Sequence, residues 1–570
     1  MIRGKVKTRI STIFLCCILI FCCILGKLGY EQIFHHTDIM EKALSLWERD
    51  FTVAGLRGSI LDKNGNVLAH DIPSTSVMVV PAQIQDADKT AQQLADVLQA
   101  DKKKILSTIT KHVSTQKLQP EGRLISDDKA RKLEAMDLPG VYLVQDSLRN
   151  YPNNNYLAQV LGFTGIDNQG LAGLELQYND ILSAKSGALN IPFDAKGHNV
   201  ELYKESYEAP GRGMDVQLTI DSNIQDIVER ELNNLVKRYK PKSALALAMN
   251  PNTGEILAMV SKPDFDPNHY KDYSSDVYNR NLPIWKSYEP GSTFKSVTFA
   301  SALELKLFDM FKDTYYDRGY EMVGGARIKS WKAGGHGQQT FLQVLENSSN
   351  PGFVEISRRM GLDNEYDFVK KFGFGEKTGI DLPGESKGIM FKKSAMGELE
   401  QATVAFGQGL SVTPIQLVTA FSAIINGGTL YTPYITKSIN DPITHDAILE
   451  YKPTAKRKVI SEDTSKKMRY ALESVVANGG GKPAYTEGYK IGGKTGTAQI
   501  AENGVYSTSN YILSFLSAAP IDDPQIVLYI AADSPQNDVL YGGTVIAPVA
   551  KACYEDILPY LGVKKAEEQI

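Results

Sequence analysis

The stretch YEPGSTFK, Tyr288-Glu289-Pro290-Gly291-Ser292-Thr293-Phe294-Lys295, decides how this chain is read. Pro290 and Gly291 punctuate an entry, and the apolar-rich run from Phe294 to Leu305 predicts a buried helix. Ser292 and Lys295 stand three residues apart and so share one helix face, which brings an amine within reach of a hydroxyl. A free lysine, with a pKa of about 10.4, is a poor base at neutral pH. Burial disfavours its charged form, and the positive end of the helix dipole acts in the same direction. The first turn also offers a backbone N–H to an oxyanion. Nucleophile, base and oxyanion donor together are the requirements of covalent acyl transfer.

Ser-x-x-Lys by itself is common. Ser114–Lys117 and Ser126–Lys129 repeat it in polar, lysine-rich stretches, where solvated surface is expected. Ser292 differs in its company downstream: Ser348-Ser349-Asn350, then Lys494-Thr495-Gly496. Ser348 comes after the apolar FLQVLEN (341–347) and before Pro351-Gly352, so it is placed on a loop between helices, facing a cleft or capping a helix over 353–360. The second Ser-x-Asn, Ser438-Ile439-Asn440, is expected in a turn. A second Lys-Thr-Gly, Lys377-Thr378-Gly379, is expected in a structural loop between a helix and a short strand.

Gly488 to Thr495 also satisfies Gly-x4-Gly-Lys-Thr, the phosphate-binding loop pattern. That loop needs a strand before its first glycine and a helix directly after its threonine. Here Gly481-Lys482-Pro483 lies upstream and Gly496-Thr497-Ala498-Gln499 opens a strand, which argues against nucleotide binding. For acyl transfer, an edge strand bearing Lys494, Thr495, Gly496 and Thr497 suits a substrate with a carboxylate. The lysine brings charge, the threonines bring donors, and the glycine lets a substrate backbone approach. The Thr497 N–H is then a second oxyanion donor, a contribution of about 3–4 kcal/mol to the transition state.

Composition sets the outer limits. A chain of 570 residues is expected to form more than one domain, because single cores stop growing near about 250–300 residues. Hydrophobic content of 42% and charged content of 22% are ordinary, and a net charge of −4 gives no reason to expect nucleic acid. Ile10–Leu28, ISTIFLCCILIFCCILGKL, carries Lys27 as its sole charge. As a helix it is about 28 Å long, enough for one membrane crossing. Arg3, Lys5, Lys7 and Arg9 precede it, so residues 1–9 are expected in the cytoplasm and the remainder outside. No small-x-small cleavage site follows, which favours an uncleaved anchor over a signal peptide. Four of the five cysteines lie in that span, so no disulfide framework is expected. The eight histidines are scattered and no metal or cofactor site is expected.

Residues 29–50 read as a stalk. LRGSILDKNGNVLA (56–69) predicts two short strands joined by an Asn-Gly turn. A mixed region, with helical stretches such as Asp88–Leu98, runs to a loop-rich boundary at Pro210-Gly211-Arg212-Gly213. Asp221 then caps a helix with apolar positions Ile224, Ile227, Val228, Leu232 and Leu235. SALALAMN (243–250) and EILAMVSK (255–262) predict a hairpin. YKIGGKTGTAQI (489–500), YILSFLSAA (511–519) and QIVLYIAA (525–532) predict three antiparallel strands, and a helix over 547–561 closes the domain. The fold class is therefore α+β: an antiparallel five-stranded sheet with helices on both faces, following a mixed pedestal domain and a membrane anchor.

The order Ser-x-x-Lys, Ser-x-Asn, Lys-Thr-Gly is shared by penicillin-binding proteins and class A β-lactamases. With RGSILDKNGNVLA, RNYPNNNYLAQVLGF (149–163), GLAGLELQYNDIL (170–182) and AFGQGLSVTPIQ (405–416), the chain resembles a class B penicillin-binding protein over nearly all of residues 50–560. WKAGGHGQQTFLQVLENSSNPGFVEISRRMG (331–361) is most similar to the septal and sporulation branch. The resemblance implies a bitopic, exported peptidoglycan D,D-transpeptidase that β-lactams inhibit. Its substrate is a stem peptide ending in D-Ala-D-Ala. By the match Ser292 is acylated, Lys295 is its base, Ser348 relays protons and Asn350 holds the peptide. Lys494, Thr495 and Thr497 bind its carboxylate. Residues 51–210 correspond to the non-catalytic, dimerisation-type pedestal, which contacts partners such as a membrane glycan polymerase and other division or sporulation wall-synthesis proteins; residues 214–562 correspond to the transpeptidase domain. Ser349 stands where the second motif can carry aspartate, and residues 1–570 include no C-terminal repeat domain of the kind some members have. A hydrolase using the same acyl-enzyme, a D,D-carboxypeptidase or β-lactamase, and a non-enzymatic β-lactam receptor or scaffold are the alternatives.

Overall fold

The computed structural model describes residues 2–37, 39, 42, 48–192, 206–502, 505–536 and 541–565. An amino-terminal helix, Ile2–Phe34, contains the apolar stretch Val6–Phe34, the one helix among the described residues long and apolar enough to cross a membrane. Its large apolar side chains, Phe14 and Leu19 among them, are exposed, as a lipid-facing surface requires. Helix continues six residues past the expected end at Leu28.

The chain divides into two compact units: Met1–Leu56, Ile72–Leu148 and Ala184–Arg212 in one, and Arg57–Asp71, Arg149–Ser183 and Gly213–Ile570 in the other. The first unit has a small core in which Val77, Val79 and Leu118 meet Leu94 and Leu98 of the helix Ala87–Leu98 and Ile105 of the helix Lys102–Ile109. Asp86 and Asp101 cap those helices, each accepting a backbone N–H.

Buried charge ties together two of the second unit's three pieces of chain, Arg57–Asp71 and Arg149–Ser183. Glu175 accepts from Arg57 Nε and Arg149 Nε, both at 2.6 Å, and Arg149 Nη1 reaches Asp71 Oδ1 at 3.2 Å. All four side chains are almost wholly buried, so removing any one would leave an uncompensated charge. The expected ribbon is present: Ile60 pairs with Ala69 and Leu61 with Val67, and the Asp62 carboxylate accepts the N–H groups of Asn64 and Asn66 in the turn. Ile60 also pairs in parallel with Val216.

The main sheet of the second unit has five antiparallel strands: β1 (Ser243–Met249), β2 (Ile256–Lys262), β3 (Gly492–Glu502), β4 (Val505–Ala519) and β5 (Ile526–Asp533), in the order β2-β1-β5-β4-β3. β1, β2 and β5 are almost continuously apolar because helices cover both faces. On one face Ala246, Leu528 and Phe515 pack against the helices Ser222–Tyr239 and Ala547–Tyr560; on the other Leu247, Tyr529 and Leu516 meet the helical middle of the chain. β3 is an edge strand, paired along its length only with β4, where Thr497 lies opposite Leu513.

Two local expectations are corrected. Ser438 lies not in a turn but in the strand Thr436–Asn440, paired with Asp215–Leu218 and buried. The turn signals, Asp441 and Pro442, act only after the strand has ended. Lys377-Thr378-Gly379 is a loop, as expected, fastened by the Glu385 carboxylate to the Thr378 N–H and hydroxyl, but no short strand comes after it.

Candidate active site

Gly291–Thr293 forms a single 3-10 turn, and the α-helix Lys295–Glu304 follows directly. The turn is braced from beneath. Gly291, at φ +54°, donates its N–H to Gly407 O at 3.0 Å, and the Thr293 hydroxyl donates to Pro290 O at 2.8 Å. Every residue of the helix from Lys295 to Leu303 is buried, and two of its hydroxyls bond backbone: Thr298 to Ala405 O and Ser301 to Val297 O. Lys295, buried at the start of this helix, points its amine toward polar groups of another segment.

Those groups come from the loop between the helices Phe341–Glu346 and Asn350–Lys371. Lys295 Nζ donates to Ser348 O at 2.8 Å and Asn350 Oδ1 at 2.6 Å, and lies 3.1 Å from Ser348 Oγ. Ser348 is at φ +53°, a left-handed backbone that a residue with a Cβ rarely adopts and that clusters at functional sites. The helix cap is supplied by the neighbour: Ser349 Oγ accepts the Gly352 N–H at 3.2 Å, and the capped helix begins at Asn350. Ser349 Oγ also donates to Asp317 Oδ2 at 2.9 Å.

The third motif arrives on the edge strand β3. A Cβ on Gly496 would lie 2.4 Å from Ser514 Oγ and 2.9 Å from Thr293 Cγ2, and a Cβ on Gly291 would lie 3.3 Å from Thr497 O. Both positions require glycine because strand and turn are in van der Waals contact. Lys494 is buried, with Nζ bonded to Thr495 O at 3.2 Å. The Thr497 hydroxyl accepts the Gly542 N–H at 3.3 Å. Burial draws the Lys494 amine down to about 7. Burial also holds Lys295 well below the usual lysine range, and the positive charge of Lys494 nearby adds to that effect.

The chain therefore brings together Ser292, Lys295, Ser348, Asn350, Lys494, Thr495, Gly496 and Thr497, from segments about 200 residues apart. One expected contact is absent. The half-buried Ser292 hydroxyl makes no hydrogen bond among the described residues, because the Lys295 amine is turned toward the 348–350 loop. Local i to i+3 geometry could not foresee acceptors more than 50 residues downstream.

Two acidic residues at the site were missed by sequence reasoning. Glu289, three residues before the nucleophile, accepts the Gly409 N–H at 2.9 Å and the Tyr506 hydroxyl at 3.2 Å, and burial raises its pKa. Its place inside the quoted stretch was an available signal. Asp317 had none, since nothing in its local sequence points to Ser349. Among the described residues no group of three His, Cys, Asp or Glu side chains is placed to hold a metal ion.

Comparison with known proteins bears on this arrangement. Residues 244–555 match the family described as penicillin binding protein transpeptidase domain, and residues 52–218 match the penicillin-binding protein dimerisation domain. Stage V sporulation protein D of Bacillus subtilis is 49% identical over 99% of this chain and 88% of its own length. The peptidoglycan D,D-transpeptidase FtsI of Escherichia coli is 28% identical over 98% of this chain and 93% of its own. Among solved structures, a peptidoglycan synthetase from Bifidobacterium adolescentis superposes with a TM-score of 0.73 at 26% identity, covering 91% of this chain and 98% of that one. Penicillin Binding Protein 2X from Streptococcus thermophilus has the same fold, with a TM-score of 0.73 at 24% identity over 91% of this chain and 82% of its own.

Proposed function

The chain belongs to the penicillin-binding proteins with a transpeptidase domain, and from that premise we propose how its residues carry the reaction. It is a peptidoglycan D,D-transpeptidase of the serine type that binds β-lactams, with one amino-terminal helix suited to single-pass anchoring. In our reading residues 1–9 face the cytoplasm and both folded units lie outside, on the grounds of the charges flanking the helix.

The neutral Lys295 amine has two N–H groups, which Ser348 O and Asn350 Oδ1 accept, and a lone pair able to take a proton, which the Ser348 hydroxyl approaches at 3.1 Å. Ser292 Oγ attacks the carbonyl carbon between the two terminal D-alanines while its proton passes to that lone pair. The oxyanion is met by the Ser292 and Thr497 N–H groups, which the contact of Gly291 with Thr497 holds on one side of the cleft. The C–N bond then breaks. The proton returns through Ser348 to the departing amine, D-Ala leaves, and an ester on Ser292 remains. An amine from a neighbouring strand attacks the ester, gives up a proton by the same route and regenerates the serine. Asn350 steadies the peptide. Lys494, Thr495 and Thr497 receive the terminal carboxylate, whose charge restores a proton to Lys494. Residues 51–210 serve as the non-catalytic pedestal, which the match of 52–218 to the dimerisation family supports, and meet a membrane glycan polymerase; residues 214–562 act as the transpeptidase domain. The similarity to a sporulation protein favours service in the wall of the developing spore.

The observation carrying this reading is Lys295: a wholly buried amine whose partners are the oxygens of Ser348 and Asn350, with Lys494 close enough to lower its proton affinity. Fluorescent penicillin tests it. A covalent adduct that maps to Ser292, persists for many minutes and is absent in Ser292→Ala is expected. Rapid release would instead identify a hydrolase, and a Ser292→Ala strain that complements normally at equal protein levels would identify a scaffold.

A further inference from the structure

We propose that Asp317 is a positioning residue: its buried carboxylate grips the Ser349 hydroxyl and thereby fixes where Ser348 presents its oxygens to Lys295. The inference rests on the acyl-transfer reading above and adds a residue to it from outside the three motifs.

Asp317 ends the strand Thr314–Asp317, which pairs with Gly337–Thr340, and it is wholly inaccessible to solvent. Its Oδ1 accepts the Gly319 N–H at 2.8 Å, a local contact that by itself would stabilise the turn. Its Oδ2 does something the turn does not need. It accepts from Ser330 Oγ at 3.1 Å and from Ser349 Oγ at 2.9 Å, the latter 32 residues away. A buried carboxylate without such donors would carry a large desolvation cost, which these hydroxyls offset.

Ser349 joins two structures through one oxygen. It donates to Asp317 and accepts the Gly352 N–H, which anchors the first turn of the helix Asn350–Lys371. The residues on either side of it are those that hold the Lys295 amine: Ser348 with its carbonyl and hydroxyl oxygens, Asn350 with its amide oxygen. Ser348 is in the left-handed region, a conformation that persists only where the surroundings enforce it. The same hairpin supplies the enforcement on the other side. Trp331 Nε1 donates to Asn347 O at 2.7 Å, and Asn347 Nδ2 donates to Gln339 Oε1 at 3.0 Å. The loop is thus clamped before and after Ser348 by one segment, residues 317–339, and Asp317 provides the charged contact.

The test uses the full-length chain in detergent and separates non-covalent penicillin affinity (Kd) from the acylation rate constant (k2). Asp317→Asn and Ser349→Ala are expected to lower k2 between about tenfold and a hundredfold, the scale of a small misplacement of reacting groups. Kd should change by less than about threefold, because the carboxylate site on β3 is untouched. The double variant should be no slower than the slower single, since both changes break one link. Ser330→Ala removes the other hydroxyl from the same Oδ2 atom and is expected to keep k2 within about threefold of the parent; it is also the variant to rely on for comparison if Asp317→Asn fails to fold, set against Ser349→Ala. Unchanged k2 in Ser349→Ala, losses that multiply in the double variant, an equal loss in Ser330→Ala, or a Kd that weakens in step with k2 would each overturn the proposal. Failure of the parent chain to acylate at Ser292 would overturn the function itself, a separate result.

Discussion

An amine withdrawn from water and set near a second cation loses its proton for two reasons that add, and Lys295 meets both. Because the neutral form is the base, acylation by penicillin should rise with pH through a midpoint well below the ordinary lysine value and level off above it. Lys494→Met removes the neighbouring charge, so the charged form of Lys295 is less disfavoured. Its midpoint should then move upward, toward the ordinary lysine range. A pH profile of k2 that stays in place would contradict this coupling. Stability moves separately. With a folded value of about 7 for Lys494 against an unfolded value of about 10.4, the unfolded chain holds the extra proton between those limits. Stability therefore rises with pH across that window. Lys494→Met should stabilise the chain by about 3 kcal/mol at pH 8, and the gain should vanish near pH 10.5 in denaturant melts. At this scale the sequence was readable where chemistry is packed into a few consecutive residues, as in YEPGSTFK, Ser348-Ser349-Asn350 and Lys494-Thr495-Gly496. It was silent on Asp317 and on the acceptors of Lys295, because those contacts join positions 32 to 55 residues apart.

Among the elements, the edge strand β3 and the 3-10 turn before the nucleophile helix must touch for the cleft to exist, and two glycines allow it. Gly496→Ala would place a Cβ 2.4 Å from Ser514 Oγ and 2.9 Å from Thr293 Cγ2, pushing strand from turn. A loss of k2 of about a hundredfold or more is expected, with the circular dichroism spectrum little changed, since the clash is confined to the Ser514 and Thr293 side chains. Gly407→Ala attacks the turn from the other side. Its Cβ would lie 2.1 Å from Gly291 O, at a φ of +82° that already disfavours a side chain. It should lower both k2 and the melting temperature, because the backbone it meets cannot rotate away. The strands of the sheet were legible because each is a short apolar run bounded by turn residues, and the helix Ser222–Tyr239 because its buried positions recur at helical spacing. Ser438 was misplaced for the converse reason: a polar serine beside Lys437 gives no sign that it lies in a buried strand.

For the whole molecule, linear order and packing diverge. The composition changes at Pro210–Gly213, yet Arg57–Asp71 and Arg149–Ser183 pack with the unit that begins at Gly213. No periodicity in the sequence could reveal this, because the ties are individual pairs such as Ile60 with Val216, Tyr151 with Asn268 and Tyr178 with Asp381. A fragment of residues 214–565 should accordingly melt at a lower temperature than residues 48–565 and bind labelled penicillin in a smaller active fraction. Equal melting temperatures would show that these ties add nothing. The strand order has a further consequence for biosynthesis. β5, flanked by β1 on one side and β4 on the other, is the last of the five strands to leave the ribosome. Until it arrives, the early hairpin of β1 and β2 has an open flank and nothing to join it to β3 and β4. An interrupted message therefore yields no half-competent enzyme, only an unfinished polypeptide for proteases to clear, and wall cross-linking capacity is delivered to the cell in whole units.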